Sequence, residues 1–249
     1  MGAVLLALTA GGVVRAQTWT EGFDDVAGLI DAGWVIVNNS NPNSEISTSV
    51  FQGNFQGSLF NPPPVFSAHI GGTDSYAAMN YNSTSSGGTI STWLISPVLS
   101  FGPGDTFSFF TRTVAQPQFP DRLEVRISYS GASADVGLDH ESVGDFTTLL
   151  LTVNEDLTVT GYPSTWTEFG GELATVGGRF GRLAFRYWVP DGGQNGANSD
   201  YIGLDSFQFN HAFATAGAPL NVGVPEAGTW AAGAAVTALV VTRLLRRRQ

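Results

Sequence analysis

Short β-type segments recur along most of the chain, and no helix of useful length intervenes between them. They are rich in β-branched and aromatic residues, and stretches rich in Gly, Pro, Asn and Asp separate them. Nine or more such strands predict an all-β fold, a jelly-roll-like antiparallel β-sandwich. The predicted strands are 34–38, 75–81, 89–95, 106–113, 122–129, 146–153, 166–169, 182–189 and 201–209.

Hydrophobic alternation is clearest in 122–129, where Leu123, Val125 and Ile127 alternate with charged residues such as Glu124. A period of two predicts one face in the core and the other in water. Four tryptophans are candidates for ligand contact: Trp34, Trp93, Trp166 and Trp188. Three of the four lie within strands, and we expect these to be mostly core; the alternative is an exposed aromatic platform for sugars. Pro97 is predicted to end the strand of Trp93.

Charge and cysteine usage exclude several classes of partner. Residues 17–224 hold six arginines, no lysine and twenty acidic residues, a net charge of −14. Such a domain repels phosphate backbones, so we expect no nucleic-acid binding. The chain has no cysteine, which removes disulfides, thiolate metal sites and thiol nucleophiles from consideration.

The N-terminal residues have the pattern of a secretory signal. Residues 3–14 are mostly apolar, and Val14-Arg15-Ala16 places small or branched residues at −3 and −1 for cleavage between Ala16 and Gln17. We therefore assign 1–16 to a signal peptide. The alternative is a buried first strand or helix.

The C-terminal residues form three parts in order. Val224, Pro225 and Glu226 open a short motif, an apolar run follows at 231–241, and the chain closes on Arg246, Arg247 and Arg248. The apolar part has about the minimum length of a membrane-spanning helix, and the arginines favour a cytoplasmic end. The domains are thus a sandwich at 17–212, a linker at 213–223 and a tail at 224–249. A permanent single-pass anchor is the alternative.

This tail resembles the PEP-CTERM sorting signal, although Ala227 stands where that family usually has a second proline. The resemblance implies an exosortase-type transpeptidase as partner and cleavage near Pro225-Glu226. It also implies export, a transient inner-membrane intermediate held by the tail helix, and final placement at the cell surface or in the extracellular matrix.

Several short motifs follow one another in a characteristic order and spacing over residues 20–210. The motifs are Glu21-Gly22-Phe23-Asp24, Gly33-Trp34, Ala77-Ala78, Thr92-Trp93-Leu94-Ile95-Ser96-Pro97, Leu123-Glu124-Val125-Arg126-Ile127-Ser128, Trp166-Thr167-Glu168-Phe169, Gly181-Arg182-Leu183-Ala184-Phe185-Arg186-Tyr187 and Asn198-Ser199-Asp200-Tyr201-Ile202-Gly203-Leu204-Asp205. In these motifs the segment resembles the choice-of-anchor J family, a cleaved-adhesin or MAM-like jelly roll. The resemblance implies a non-catalytic, adhesin-like binding domain.

Relatives of this kind often hold a structural Ca²⁺ where the first strand meets the last. The resemblance assigns that role to Glu21, Asp24 and Asp205. Carboxylates are the ligands Ca²⁺ prefers, and Asp205 lies in an apolar strand where an unpartnered charge is costly. The alternative is that Asp205 accepts backbone hydrogen bonds or pairs with an arginine such as Arg186. The loop 191–200 has similar oxygen chemistry, but we expect a flexible hairpin loop there.

No catalytic constellation stands out, so we predict that the protein is not an enzyme and assign no catalytic residue. His69, His140 and His211 are scattered, and Glu124 has an arginine two residues away on either side of it, which favours an ordinary ion-pair ladder. Loops at 38–54 and 81–88 offer polar groups for a polysaccharide or another envelope ligand. The alternative function is an exported glycan-active hydrolase or lyase on a jelly-roll scaffold, with Glu124 or Glu168 in a catalytic role.

Processing of the tail is directly testable. We expect the mature protein to lack the residues beyond about Glu226, because a short span follows the Pro225-Glu226 motif and ends in arginines. Intact-mass analysis of envelope protein measures this. Molecules that mostly retain Arg246, Arg247 and Arg248 would instead identify a plain membrane anchor.

Overall fold

A computed structural model describes residues 17–44, 49–54, 65–173 and 178–212. The predicted signal peptide with Ala16, the linker and the sorting tail with its motif and arginines lie outside the described residues, whereas Gln17 begins the first strand. Within these ranges, no helix is long and apolar enough to cross a membrane.

Strands account for nearly all regular structure in the described ranges. All nine predicted strands are present, and β1, β3, β4 and β7 are additional. The helical elements are two single 3-10 turns, Ala27–Leu29 and Tyr81–Ser83. The strands are β1 Gln17–Glu21, β2 Val35–Asn38, β3 Asn41–Asn43, β4 Phe51–Gln52, β5 Ala77–Asn80, β6 Thr84–Ile95, β7 Leu99–Phe101, β8 Thr106–Thr113, β9 Leu123–Ser128, β10 Thr148–Val153, β11 Thr167–Glu172, β12 Arg179–Gly192 and β13 Tyr201–His211.

The strands form two antiparallel sheets, which makes the protein an all-β sandwich as predicted. The first sheet has the order β11-β8-β13-β5-β4, and β1 also pairs with β13. The second has the order β10-β9-β12-β6-β2, with β3 on β6 and β7 on β12. The long strands β12 and β13 each change neighbour along their length, so both act as central strands of their sheets.

The main core lies between the sheets and is largely aromatic. Phe185 of β12 meets Phe109 of β8 at 5.0 Å and Phe207 of β13 at 5.4 Å between ring centroids, both edge-to-face. These rings come from central strands of opposite sheets, and all are fully buried. Edge-to-face aromatic pairs of this kind stabilise the sandwich beyond their buried area.

The outer face of the second sheet is also covered, which corrects the prediction for 122–129. Segment 131–147 packs Val136 and Phe146 against Trp93 there. Glu124 is buried under this segment and binds Arg126 at 2.7 Å and Arg186 at 3.3 Å. The ladder is therefore a buried ion-pair cluster and not a solvated one, and Arg186 pairs with Glu124 and not with Asp205.

A second segment, 65–76, covers part of the outer face of the first sheet. Phe66 and Tyr76 are buried against Tyr201 of β13, and Trp166 is half-buried beside them. The Tyr76 and Tyr201 hydroxyls lie 3.0 Å apart and share a hydrogen bond. Each sheet thus has part of its outer face covered by a segment of the chain.

The tryptophan prediction is confirmed for two side chains. Trp34 and Trp93 are fully buried, and β6 ends at Ile95, two residues before Pro97. Trp166 and Trp188 are half-buried, and Trp188 packs against the guanidinium of Arg122 at 4.1 Å. None of the four is an exposed platform.

Replacing Trp93 tests the second, smaller core. Trp93 donates its indole N–H to Ser91 Oγ at 3.1 Å and packs on Phe146. We expect Trp93→Ala to lower the free energy of unfolding by about 3–5 kcal/mol, because it leaves a large cavity. Chemical denaturation measures the change, with Phe180→Ala as the control because Phe180 is an exposed aromatic. An unchanged midpoint for Trp93→Ala would contradict the packing described.

Candidate functional site

Three loops meet at one end of the sandwich and enclose an open cleft of about 480 Å³. They are the turn after β5, the segment that joins β8 to β9, and the segment that joins β12 to β13. The side chains that line the cleft combine aromatic rings with amides and one carboxylate. They include Tyr81, Gln116, Gln118, Phe119, Gln194, Asn195 and Asp200.

Backbone hydrogen bonds connect the three loops to one another. The amide of Ser199 donates to the carbonyl of Pro120 at 2.9 Å, and the amide of Tyr81 donates to the carbonyl of Asp200 at 3.1 Å. Both bonds use residues within or beside the cleft wall. These hydrogen bonds fix the positions of the three loops relative to one another.

The expectation of a hairpin loop at 191–200 is wrong, because the loop connects β12 of the second sheet to β13 of the first. The loop is also tied internally by hydrogen bonds. The Asn198 side chain donates to the carbonyl of Pro190 at 2.8 Å, and Ser199 Oγ accepts the Gly193 amide at 3.1 Å. A Cβ atom at Gly196 would stand 2.2 Å from the carbonyl oxygen of Asp191, so only glycine permits this close approach. The loop thus presents a defined wall to the cleft.

A fully buried carboxylate, Asp121, lies behind the cleft. Its Oδ1 accepts the Tyr187 hydroxyl at 2.6 Å and the Asp200 amide at 2.8 Å, and its Oδ2 accepts the Thr113 hydroxyl at 2.7 Å. Burial raises the pKa of Asp121, while these donors oppose the shift. Asp121 therefore holds the β13 end of the loop against β8 and β12.

The carboxylate of Asp200 lies in the cleft wall close to Asp121. Burial, followed by the nearby negative charge of Asp121, raises the pKa of Asp200 to about 6, although the Gln118 amide donates to it. Because this pKa is raised on folding, the neutral form contributes stability at low pH, and that contribution is lost as the pH rises through about 6. At pH 7 Asp200 is mostly ionised at a cost to the fold.

Ion pairs do not offset that charge. Among the described residues, the side-chain pairs within 4.0 Å join Arg126 and Arg186 to Glu124, His140 to Glu141, and His211 to Asp105. No arginine or histidine in that part of the chain pairs with Asp200 or Asp121. The cleft is therefore an acidic site whose carboxylates form no ion pair with the described arginines and histidines.

Of the three residues predicted to bind calcium, Asp24 and Asp205 approach the same segment and Glu21 has a different partner. Asp205 is fully buried, and its Oδ2 accepts the amides of His69 at 2.8 Å and Ile70 at 3.2 Å. Asp24 approaches the same segment, since a Cβ atom at Gly71 would lie 2.9 Å from its Oδ1. The Glu21 carboxylate instead accepts the amide of Phe23 at 2.9 Å.

This arrangement favours the hydrogen-bonding alternative for Asp205. Its Oδ1 also accepts from the amide and hydroxyl of Ser206, and burial raises its pKa, although the hydrogen bonds act in the opposite direction. In the described ranges no three His, Asp or Glu side chains are grouped closely enough to hold a metal. Occupation of Glu21, Asp24 and Asp205 by Ca²⁺ stays a prediction.

The remaining sequence candidates have structural partners. His211 Nδ1 lies 2.9 Å from Asp105 Oδ2, and His69 Nδ1 lies 3.0 Å from Ser206 Oγ. His140 is partly exposed beside Glu141 in the loop after Gly137. Glu168 lies on the edge strand β11 of the first sheet, whereas Glu124 is in the second, so these two carboxylates do not form a catalytic pair.

Sequence reasoning missed Asp121 and Phe119 as site residues, and it considered Asp200 only as one oxygen donor of the loop 191–200. Each lies in a segment that was treated as a turn or a strand end, and 40 or more residues separate Tyr81 from either of the aspartates. One local signal was available: Phe119 stands in Gln116-Pro117-Gln118-Phe119-Pro120, a large aromatic among turn residues, where burial is not expected.

Comparison with known proteins identifies the architecture. No family model matches the chain, and no curated protein matches it in sequence. The K2 cleaved adhesin domain of Lys-gingipain matches in structure with a TM-score of 0.50 and 18% identity, over 78% of this chain and 99% of that one. The protein therefore has an adhesin-like β-sandwich fold.

Two further solved structures are similar at lower scores. The K1 cleaved adhesin domain of Lys-gingipain from Porphyromonas gingivalis W83 gives a TM-score of 0.48 at 18% identity, over 78% of this chain and 98% of that one. The CBM22-1 xylan-binding domain of Paenibacillus barcinonensis Xyn10C gives 0.41 at 12% identity, over 79% and 94%.

Chelation and substitution together test the metal prediction. We expect Asp205→Asn to destabilise the protein by about 1–3 kcal/mol, because one buried acceptor of several amides is replaced by a group that also donates. If Ca²⁺ is bound, EDTA lowers the melting temperature of the wild type and leaves Asp205→Asn almost unchanged. An unchanged wild-type transition in EDTA, with no metal in the purified protein, would remove Glu21, Asp24 and Asp205 as a calcium site.

Proposed function

We propose that this protein is a non-catalytic, adhesin-like carbohydrate-binding domain and that the cleft between its three loops is the binding site. The observation that carries the proposal is the composition of the cleft wall. An exposed Phe119 and a half-exposed Tyr81 stand beside exposed glutamines and the carboxylate of Asp200. Aromatic faces for apolar C–H surfaces and fixed polar groups for hydroxyls are what a small saccharide requires.

The placement of the loops supports the same function. They project from the ends of a rigid sandwich, and Asp121 and the backbone bonds described above hold their bases. A site of this kind binds without first ordering its loops, which reduces the entropic cost of association. The fold shared with the K2 cleaved adhesin domain agrees with an adhesin-like role.

The distribution of carboxylates favours binding over hydrolysis. Glycoside hydrolysis ordinarily needs two carboxyl groups facing the sugar, one as the acid and the other as the nucleophile or base. Among the described residues that line the cleft, Asp200 is the one carboxylate. Asp121 lies behind the wall, and hydrogen-bond donors occupy both of its oxygens. The hydrolase or lyase alternative therefore lacks its second group here.

Export and processing complete the proposal. A signal peptide at 1–16, cleavage between Ala16 and Gln17, and an exosortase acting at the 224–226 motif would place the domain at the cell surface or in the matrix. The sequence resemblance of the tail supports this, and polysaccharide is abundant in that location as a ligand. The acidic character of the domain agrees with a neutral or cationic saccharide in preference to an anionic one.

Removal of the exposed aromatic ring tests the site. We expect the purified protein to bind at least one oligosaccharide in a panel of cello-, xylo-, manno- and galacto-oligomers, measured by glycan array and titration calorimetry. Phe119→Ala should weaken that binding about tenfold, because an aromatic anchor contributes roughly 1–2 kcal/mol.

Phe180→Ala is the matched control, since Phe180 is also an exposed ring but lies outside the cleft, where β12 pairs with β7. It should bind as the wild type does. Absence of any glycan binding, or equal losses in both variants, would refute the cleft as a carbohydrate site.

A further inference from the structure

We infer that the cleft selects saccharides that carry a protonated amine, such as glucosamine or galactosamine units, and that Asp200 is the residue that pairs with the ammonium group. The inference rests on the proposed carbohydrate-binding function and deepens it. Neither the fold nor the sequence resemblance specifies this class of ligand.

Two neighbouring carboxylates at the cleft favour a cationic ligand. The wall carboxylate of Asp200 lies close to the buried Asp121, whose Oδ1 accepts the Asp200 backbone amide at 2.8 Å. Two carboxylates in close proximity without a cationic partner are unfavourable when both are ionised. Within the described residues no arginine or histidine forms an ion pair with either, so a cation that enters the cleft relieves this repulsion.

The shape and composition of the site narrow the kind of cation. A volume of about 480 Å³ is far larger than a metal ion needs and accommodates a sugar ring or two. The cleft wall also carries the rings of Tyr81 and Phe119, which a hydrated metal ion does not use but a pyranose face does. No group of three metal-binding side chains occurs here or elsewhere in the described ranges. An amino sugar provides both groups: its ammonium pairs with the carboxylate, and its ring face packs on the aromatic side chains.

The groups that face Asp200 set its pH dependence. Asp121 and Tyr187 lie behind it, and Tyr81 lies beside it on the turn after β5. Burial raises the pKa of both tyrosines, so they keep their protons near neutral pH. Burial and Asp121 raise the pKa of Asp200 to about 6, so its negative charge is present at pH 7 and is lost as the pH falls through 6. Protonation of Asp121, whose pKa burial also raises, acts in the same direction.

Matched saccharides provide the test. Trimers of β-linked glucosamine and galactosamine are compared with their N-acetylated counterparts by titration calorimetry at pH 7 and pH 5 in the presence of EDTA. Acetylation removes the positive charge and keeps the ring. We expect the wild type to bind at least one amine trimer about tenfold more tightly than its acetylated form at pH 7, and to lose most of that preference at pH 5.

Two isosteric variants distinguish specific binding of the amine at Asp200 from non-specific attraction of a cation to an acidic domain. Asp200→Asn should reduce the amine preference to less than about twofold while its thermal transition at pH 7 stays at or above that of the wild type. Asp191→Asn removes the same charge from the same loop at an exposed carboxylate outside the cleft wall, and it should retain the preference. Phe119→Ala should weaken both members of each pair.

The outcomes distinguish the two proposals. Binding of neutral oligosaccharides that depends on Phe119, with no preference for amines, overturns this inference and leaves the carbohydrate site intact. An amine preference that survives in Asp200→Asn, or that falls equally in Asp191→Asn, also overturns it. Absence of binding to every neutral and amine saccharide overturns both.

Discussion

The carboxylate of Asp121 connects the sandwich to its candidate site. It lies directly before β9, accepts the hydroxyls of Thr113 on β8 and Tyr187 on β12, and accepts the amide of Asp200 at the entry to β13. These strands belong to both sheets. A buried carboxylate costs free energy unless donors surround it, and here the donors are supplied by the elements whose ends form the cleft. The same bonds that compensate for burying Asp121 therefore determine where the loops stand.

Much of the fold could be predicted from the sequence because its strands have strong local signals. Strand β8 occupies 106–113 as predicted, with Phe107 and Phe109 inward and Thr106 and Ser108 outward. Turn residues around Pro103 and Pro120 mark its limits. The strands that were missed have weak local patterns: β1 is fixed by pairing with β13, for example Trp19 with Phe209, across nearly the whole domain. Such pairing depends on partners that no local window contains.

The same limit explains the error at Glu124 and the missed cleft. Alternation in 122–129 was read correctly for the inward side, but the outward side is covered by segment 131–147, where Phe146 packs on Trp93. Glu124 is buried there, and Arg186, about 60 residues later, pairs with it. In the cleft, Phe119 and Asp200 likewise come together only through the topology of the two sheets. The sequence shows which residue types are present, but it does not show which of them come close together in the folded protein.

Three acidic residues of the described structure, Asp205, Glu124 and Asp200, differ in how completely the protein compensates their charge. Asp205 accepts four hydrogen bonds from backbone and side-chain donors, and Glu124 has two arginines, so each is satisfied by the protein itself. Burial, followed by the nearby carboxylate of Asp121, raises the pKa of Asp200 to about 6, and the hydrogen bond from the Gln118 backbone opposes the shift only in part.

Asp200 lies at the wall of an open, aromatic-lined cleft, and no cationic group among the described residues compensates its charge. A ligand of opposite charge can form the missing ion pair. Much of the free-energy cost of removing water from Asp200 was already met on folding, so it is not repeated when the ligand binds. The feature that makes Asp200 a cost to stability at neutral pH is thus the feature that makes it an effective partner for an ammonium group.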